Sequence, residues 1–233
     1  MKLKPKLITF DFGDTLVSSD PPYLARIWMA LKDLGIEKTR QEVEKAYHLA
    51  DWKISQELLK EGNLAPQYYQ RKLGVSLLEE LGIKRNYEQL LSQLAQWLVG
   101  FRPERVLMPG ALKLLKELKR RGYPMGIISN NDGRTREKCG AVGIEEFFEF
   151  ILDSTLEGMV KPDPKFFQKA LSLAEANPEQ TLHIGDLWGS DILGARATGL
   201  WAVWLKNPYL NPQEPKEKVF RVNNLEEVLE ILE

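Results

Sequence analysis

Short apolar runs alternate with amphipathic stretches from residue 103 to residue 233, and this alternation limits the fold more than any other feature. Parallel strands joined by crossover helices are buried on both faces, so they are expected to be apolar throughout, as these runs are. The sequence therefore predicts an α/β fold with a doubly wound, Rossmann-like parallel sheet. Strands are predicted at 6–10, 125–130, 147–153, 181–186 and 201–205, and helices at 111–121, 134–141, 164–176, 190–199 and from Leu225 onwards.

A block without any strand-like run separates the first predicted strand from the others. Between residues 23 and 98 the apolar side chains recur at helical spacing, and such a block has to bury its apolar faces in a bundle of its own. We therefore predict an α/β core of residues 1–17 and 103–233, with an all-α cap of residues 18–102 inserted after the first strand. The segments SSDPP and GFRPE join the two parts and are predicted to be linkers and hinges.

Polar residues follow the predicted strands at the points where the strands end. Because the carboxyl ends of parallel strands meet at one edge of the sheet, where ligands bind in such folds, these residues are expected to form a single site. A chance placement of one polar group is common, but several strands ending in this way indicate a function. The residues concerned are Asp11, Ser129, Asn130, Lys161, Asp186 and Asp191.

The chemistry of these side chains is narrow. Carboxylate oxygens are ligands for a hard cation, and Mg²⁺ is the usual choice where phosphate oxygens complete its shell. Lys161 and Ser129 can supply the positive charge and the hydrogen bond that a transferring phosphoryl group needs. An aspartate beside the cation, such as Asp11, can act as the nucleophile.

Four segments in order carry a resemblance to a known family. They are FDFGDTL, IISN, VKPDP and IGDLWGSD, beginning at residues 10, 127, 160 and 184. In order and spacing they resemble the nucleophile, Ser/Thr, lysine and acidic metal motifs of the haloacid dehalogenase superfamily of hydrolases. The helical block resembles the cap of its phosphoglycolate-phosphatase-like and 2-haloacid-dehalogenase-like members. The resemblance covers nearly the whole chain and implies a hydrolase of small phosphate esters that works through an aspartyl-phosphate.

The resemblance also implies a role for each residue. Asp11 would be the nucleophile and a Mg²⁺ ligand, and Asp186 would be the second protein ligand. Asp191 would bind the metal through water or support Lys161. Ser129, Asn130 and Lys161 would hold the phosphoryl oxygens, while the backbone carbonyl of Gly13 would also reach the metal.

The nucleophile motif departs from the family pattern at one position. Phosphatases of the family carry an aspartate two residues after the nucleophile, and this residue protonates the leaving group. Here the segment reads Asp11-Phe12-Gly13-Asp14-Thr15. Three interpretations are open for Asp14: it is the acid in a loop shifted by one residue, it is a loop residue while the cap or solvent supplies the acid, or it only forms hydrogen bonds to nearby backbone.

This departure raises three alternatives to a phosphatase. Haloacid dehalogenases of the superfamily lack both the acid and the metal, although their acidic motif usually departs from the Gly-Asp that IGDLWGSD retains. Phosphonatase-like members have a small residue at the acid position and use a cap lysine. Lysines of the cap block that could take this part are Lys32, Lys45, Lys53 and Lys60. The third alternative is a protein that binds a phosphorylated metabolite without catalysis, which would not need a nucleophile.

The balance of charges indicates which partners the chain is not suited to bind. The chain has 32 basic and 33 acidic side chains and a formal net charge of −1, which does not favour nucleic acid or an anionic membrane surface as a partner. The first ten residues have too short an apolar run for a signal peptide or a membrane span, and the single cysteine, Cys139, fits a reducing compartment. We expect a cytoplasmic enzyme, monomeric or homodimeric, with a small phosphorylated substrate that periodicity does not identify.

Overall fold

The computed structural model describes residues 2–62, 65–84, 86–213 and 217–233. Within these residues a six-stranded parallel sheet has the order β5-β4-β1-β6-β7-β8, and β2 pairs with β3 in an antiparallel ribbon. The strands are β1 (Leu7–Phe10), β2 (Val17–Asp20), β3 (Glu104–Leu107), β4 (Met125–Ser129), β5 (Phe150–Asp153), β6 (Thr181–Gly185), β7 (Trp201–Leu205) and β8 (Val219–Val222).

Helices cover both faces of the sheet and make up the segment between β2 and β3. The α-helices are α1 (Tyr23–Asp33), α2 (Arg40–Glu61), α3 (Pro66–Glu80), α4 (Tyr87–Gly100), α5 (Ala111–Arg120), α6 (Thr135–Ala141), α7 (Ser154–Glu157), α8 (Pro164–Leu173), α9 (Gly194–Ala197) and α10 (Val228–Ile231). Short 3₁₀ helices occupy Glu145–Phe147, Pro178–Gln180 and Leu225–Glu227, and a π-helix occupies Trp188–Leu193. In the part of the chain that is described, no helix combines the length and the apolar character that crossing a bilayer requires.

The predicted α/β fold with a doubly wound parallel sheet is confirmed. The chain builds one side of the sheet from β1 through β4 to β5, then returns to the other side of β1 for β6, β7 and β8. The direction of winding reverses at β1, so the carboxyl ends of β1, β4 and β6 border the crevice in which such folds bind ligands. All residues of these three strands are buried, which explains why most of their side chains are apolar.

The helices α1 to α4 have a hydrophobic core of their own. Ile27 and Leu31 of α1 pack with residues of the other three helices, including Val43, Leu78 and Leu94. This cluster is separate from the two clusters that lie against the sheet, in which Ile8 and Phe10 face one side and Leu7 the other. Alternate residues of a strand point to opposite faces, so the two clusters correspond to the two faces of the sheet.

The predicted linkers are more ordered than the sequence suggested. Residues 18–20 of SSDPP, which were expected to be part of a linker, are in a strand: Val17 to Asp20 form β2 and pair with Leu107 to Glu104 of β3. Val17 and Ser19 are buried while Asp20 is exposed, so β2 alternates as a half-buried strand should. The pairing partner stabilises a Ser-rich strand that intrinsic β-propensity disfavours.

Candidate functional site

The carboxyl ends of β1, β4 and β6 deliver the predicted polar residues to one edge of the sheet. β1 is hydrogen-bonded in parallel to β4 on one side and to β6 on the other. Asp11 directly follows β1, Ser129 is the last residue of β4, and Asp186 directly follows β6. Three segments that are far apart in the sequence thus place a carboxylate, a hydroxyl and a second carboxylate side by side.

Lys161 lies between two carboxylates at this edge. Its Nζ is 2.6 Å from Oδ1 of Asp11 and 2.6 Å from Oδ1 of Asp191. Lys161 exposes 1% of its surface and Asp191 none. Burial disfavours the charged form of Lys161, but the charges of Asp11 and Asp191 outweigh this effect and raise its pKa. Because an unpaired buried charge is costly, this ion triad fixes the position of all three side chains.

The side chain of Asn130 holds the backbone of Lys161 in place. The Asn130 side chain donates from Nδ2 to the carbonyl oxygen of Lys161 (2.9 Å) and accepts from the Lys161 N–H at Oδ1 (2.8 Å). Asn130 was predicted to contact phosphate, and in this structure its side-chain amide is hydrogen-bonded to the backbone of Lys161. Ser129, the neighbour of Asn130, is buried at the end of β4. The phosphate contacts of both residues stay predictions.

The acidic segment IGDLWGSD forms a compact turn around Asp191. Oδ2 of Asp191 accepts a hydrogen bond from the N–H of Leu187 (3.0 Å), and the N–H of Asp191 donates to the Leu187 carbonyl (3.1 Å). A Cβ atom at Gly185 would overlap the Asp191 carboxylate. Glycine is therefore required at the end of β6, because only a residue without a side chain lets Asp191 approach the strand so closely.

Asp11, Asp186 and Asp191 form a cluster that suits a hard cation. Each offers one carboxylate oxygen, and these oxygens lie within 4.8 Å of one another. Oxygen-only ligands favour Mg²⁺ or a similar ion. Among the residues that the structure describes, Lys161 is the one ammonium in contact with the cluster, through Asp11 and Asp191. Three ionised carboxylates and this ammonium leave an excess of two negative charges. A divalent cation would balance this excess, so both the donor atoms and the charge fit Mg²⁺.

The acid–base properties of the cluster reflect the same excess of negative charge. Burial raises the pKa of Asp11 to about 6, although the Lys161 ammonium opposes the shift. Burial, followed by the charges of Asp11 and Asp191, raises the pKa of Asp186 well above its usual value. Asp186 has one hydrogen bond that favours its ionised form, from the Thr15 hydroxyl at 3.0 Å. Of the two carboxylates, Asp186 is thus the one most in need of a cation.

Asp191 behaves in the opposite way. Burial opposes its ionisation, but Lys161 and His183 overcome that effect and lower its pKa to about 2. His183 is a buried imidazole whose own pKa is lowered by burial; its Nδ1 is 2.9 Å from the Thr9 hydroxyl and its Nε2 is 3.6 Å from Asp191. His183 is thus a packed core residue with no exposed surface. Asp191 accordingly holds Lys161, as one of its two predicted roles requires.

Gly13 occupies an open position in the loop after β1. It is exposed, and a Cβ atom added there would have no atom within 4 Å outside its neighbours in the chain. Its φ is not in the left-handed region, which L-residues avoid. Nothing around the Cβ position therefore requires glycine at this residue.

Asp14 has local partners. Its Oδ1 accepts a hydrogen bond of 2.5 Å from the Ser18 hydroxyl, and its N–H donates to the Val17 carbonyl (2.9 Å). Its φ of 52° is in the left-handed region that Asp tolerates in turns. Burial raises the pKa of Asp14, with Ser18 and Arg26 opposing. The residue is thus engaged in the turn, and its role as an acid stays a prediction.

Two residues at the site, which belong to the helices between β2 and β3, were not singled out from the sequence. Asp51 of α2 is fully buried and accepts hydrogen bonds from the N–H groups of Gly189 and Ser190. Burial and the charge of Asp191 raise the pKa of Asp51 to about 7, against those hydrogen bonds. Tyr69 of α3 is 4% exposed and lies against the Asn130 side chain. The sequence contained one indication for Asp51: its spacing from Ile54 and Leu58 places this charged residue on the apolar side of the helix, where it is expected to be buried.

A family model and several relatives match this chain. The model of the haloacid dehalogenase-like hydrolases matches residues 5–199. A glyceraldehyde 3-phosphate phosphatase of Pyrococcus furiosus is 37% identical over 130 residues, which are 54% of this chain and 54% of the relative. The chain thus spans about half the length of that relative. A phosphoserine phosphatase of Thermus thermophilus is 29% identical over 96% of this chain and 97% of its own length.

The architecture is also found in solved structures. The HAD-hydrolase YfnB of Bacillus subtilis, whose structure is described as bound to magnesium, superimposes with a TM-score of 0.66. The superposition covers 98% of this chain and 99% of YfnB at 23% identity. At this identity the likeness establishes the common fold.

The excess of negative charge generates a prediction for the protein without metal. Since the folded state raises the pKa of Asp186, it holds the ionised group less favourably than the unfolded chain does at neutral pH, and Asp186→Asn removes this cost. In EDTA we expect Asp186→Asn to raise the melting temperature by about 2–4 °C for each kcal/mol relieved. Mg²⁺ should stabilise the wild type and not the variant.

Calorimetry with and without Mg²⁺ measures both effects. Glu230→Gln, which removes an exposed carboxylate outside the site, is the control and should change neither. An Asp186→Asn protein that melts below the wild type in EDTA would contradict this account of the cluster.

Proposed function

The chain belongs to the haloacid dehalogenase-like hydrolases, and from this premise we propose that it is a Mg²⁺-dependent phosphatase of small phosphate esters. The observation that carries the proposal is the buried triad of Asp11, Lys161 and Asp191, with Asp186 beside it. A nucleophile, a cation for the phosphoryl oxygens and an oxygen-rich metal site are then within a few ångströms of one another. This combination suits phosphoryl transfer.

The proposed division of the chain assigns chemistry and selection to different parts. Residues 1–17 and 103–233 are the catalytic core, and residues 18–102 are the cap that covers the site. The cap excludes water and selects the leaving group, and the ribbon of β2 and β3 connects it to the core. We place the enzyme in the cytoplasm, as a monomer or homodimer.

Mg²⁺ would be held by Asp11, Asp186, the carbonyl of Gly13 and Asp191, the last directly or through water. When bound, it draws negative charge from the phosphoryl oxygens and so favours attack by an anion. Lys161 shares this task, with Ser129 and Asn130 as further contacts for the phosphoryl group. The Lys161 ammonium also opposes the rise in the pKa of Asp11 caused by burial, which keeps Asp11 ionised at neutral pH.

Catalysis proceeds in two displacements at phosphorus. In the first, an oxygen of Asp11 forms a bond to phosphorus, and the bond from phosphorus to the leaving oxygen breaks. The leaving oxygen takes a proton and departs as an alcohol. In the second, the oxygen of a water molecule forms a bond to phosphorus, the bond from phosphorus to the Asp11 oxygen breaks, and one proton of the water passes to solvent. Inorganic phosphate is then released and the Asp11 carboxylate is regenerated.

No acid that could protonate the leaving group stands at the position usual in the family, because this position is occupied by Gly13. A general acid contributes about 10²–10⁴ in rate, so its loss leaves the nucleophile and the electrostatic stabilisation in place. Substrates that leave as stable anions need this proton least. Asp14 is retained as the candidate acid, although Ser18 holds its carboxylate in the turn.

The relatives support the substrate class. The similar proteins from Pyrococcus and Thermus are named for glyceraldehyde 3-phosphate and phosphoserine, both small phosphate monoesters. A dehalogenase, the main alternative, is favoured by Gly13 alone, whereas the three-carboxylate cluster favours a metal enzyme. Phosphonatase-like and non-catalytic functions rest on no further observation.

The first prediction from the proposed function separates these reactions. We expect Asp11→Asn to lower kcat for p-nitrophenyl phosphate on the order of 10⁴-fold or more, because the amide is a poor nucleophile. We expect EDTA to abolish wild-type turnover and Mg²⁺ to restore it. A screen of phosphate esters, a phosphonate and a 2-haloacid, each with and without Mg²⁺, is the measurement. Dehalogenation that persists in EDTA would replace the proposal by the dehalogenase alternative.

The second prediction concerns the missing acid. Wild-type kcat/KM, which reports the step in which the leaving group departs, should fall steeply as the pKa of the leaving group rises, so that aryl and acyl phosphates react far faster than sugar phosphates. Gly13→Asp has room for its Cβ atom in the open loop and should raise kcat/KM for alkyl phosphates by about 10²-fold or more while changing kcat/KM for aryl phosphates little. Gly13→Asn, of the same size without the acid, is the matched control.

The same series of substrates tests Asp14. A flat dependence on the leaving group in the wild type would mean that a residue already donates the proton. If Asp14→Asn then steepens the dependence, Asp14 is that residue. If the dependence stays flat in this variant, the donor lies elsewhere in the site or the cap.

A further inference from the structure

The cap helix α2 presents a polar stripe to the core. Glu44 is hydrogen-bonded to the hydroxyl of Tyr209, and Nδ1 of His48 lies 3.3 Å from the side-chain amide of Asn207. The ring of His48 also stacks on Tyr209, with centroids 5.7 Å apart. These contacts join α2 to the loop after β7, at one end of the interface between cap and core.

At the other end of this stripe, Asp51 binds the backbone of the acidic loop. Its Oδ2 accepts from the N–H of Gly189 at 2.8 Å, and the N–H of Ser190 is 3.2 Å from Oδ1 and 3.3 Å from Oδ2. These N–H groups belong to the first turn of the π-helix Trp188–Leu193, where intrahelical partners are lacking. A carboxylate from the cap thus takes the position that an N-cap side chain usually fills from within the same segment.

Gly189 shows how closely the two elements approach. A Cβ atom at this residue would lie 2.5 Å from the carbonyl oxygen of Asp51 and 2.6 Å from the Ser55 hydroxyl. Any larger residue would therefore push α2 and the loop apart. Apolar contacts support the approach, since Leu49 and Trp52 of α2 pack against the cluster that contains Trp188.

The loop that Asp51 binds is the one that orients the acidic ligands. Asp191 closes the turn from within, through its two hydrogen bonds to Leu187, and Asp51 closes it from the cap side through residues 189 and 190. A shift of this backbone would move the Asp191 carboxylate and, through it, Lys161. Mutation of a group that orients the ligands of a metal typically lowers the affinity of the protein for that metal by about 10–100-fold.

We propose that Asp51 is a positioning residue that couples docking of the cap to Mg²⁺ binding by the core. The proposal rests on the proposed function, in that Asp186 and Asp191 serve a metal. With α2 docked, Asp51 orders the acidic loop in the geometry the metal needs. Since coupling between two binding events is reciprocal, bound Mg²⁺ in turn holds α2 against the loop.

Mg²⁺ binding without substrate tests the proposal. Isothermal titration calorimetry on the full chain should give a dissociation constant for Asp51→Asn that is raised about 10-fold or more. The amide keeps the size of the side chain, but its NH₂ group replaces one oxygen that accepts from the loop. Glu44→Gln is the matched control: it alters a cap–core hydrogen bond on the same helix away from the acidic loop, and it should keep the wild-type affinity.

Gly189→Ala tests the same contact from the core side. This substitution removes no carboxylate but forces α2 and the acidic loop apart, so it should weaken Mg²⁺ binding as Asp51→Asn does. It also serves if circular dichroism shows that Asp51→Asn does not fold. Gly100→Ala, at the end of α4 with no atom near its added methyl group, is the control.

Hydrogen exchange supplies the reciprocal readout. In the wild type, Mg²⁺ should slow exchange in peptides covering residues 44–58 and 187–193 together, and in Asp51→Asn the slowing of 44–58 should be lost. Wild-type Mg²⁺ affinity in folded Asp51→Asn and Gly189→Ala proteins would overturn the inference and leave the proposed function standing. A wild type that binds no Mg²⁺ would overturn both.

Discussion

The ammonium group of Lys161 is the interaction on which the site depends. It contacts Asp11 from the end of β1 and Asp191 from the loop after β6, and Asn130 from the end of β4 fixes its backbone. Each of these segments is tied to the sheet, so the sheet sets the geometry and the lysine holds the side chains within it. Removing the Lys161 ammonium would leave the buried carboxylates of Asp11 and Asp191 without a neutralising charge, which strongly destabilises a protein core.

One lysine does not balance three carboxylates, and the rest of the site follows from this shortfall. The raised pKa values of Asp11 and Asp186 reflect it, and a divalent cation would remove it. A cluster with an excess of charge of the same sign stores electrostatic repulsion until its ligand arrives, so stability is given up for function at this point of the fold. The contact of α2 with the acidic loop serves the same cluster, because it holds the backbone that carries Asp191 against the repulsion between the carboxylates.

Much of this arrangement could be predicted from the sequence, for physical reasons that differ between elements. The strands of the large sheet are buried on both faces and therefore apolar, which made β1, β4, β6 and β7 visible, and the polar residue that ends each of the first three was conspicuous. Val219–Val222 was missed because β8 is a short edge strand, and Val17–Asp20 because its order depends on pairing with residues 104–107. Asp51 escaped notice as a partner of the site, since it binds backbone N–H groups 138 and 139 residues away, and backbone groups leave no signal in a sequence.

The central claim, that Asp11 transfers a phosphoryl group, is tested most directly by trapping the intermediate. By the resemblance to the family, the aspartate that Gly13 replaces would both protonate the leaving group and later activate water. Without it, the aspartyl-phosphate should accumulate when ³²P-labelled aryl phosphate and Mg²⁺ are mixed with the enzyme and quenched in acid. We predict label on the peptide that contains Asp11, released by hydroxylamine as an acyl phosphate is, and absent in EDTA. Turnover of the ester without label on that peptide would contradict the claim.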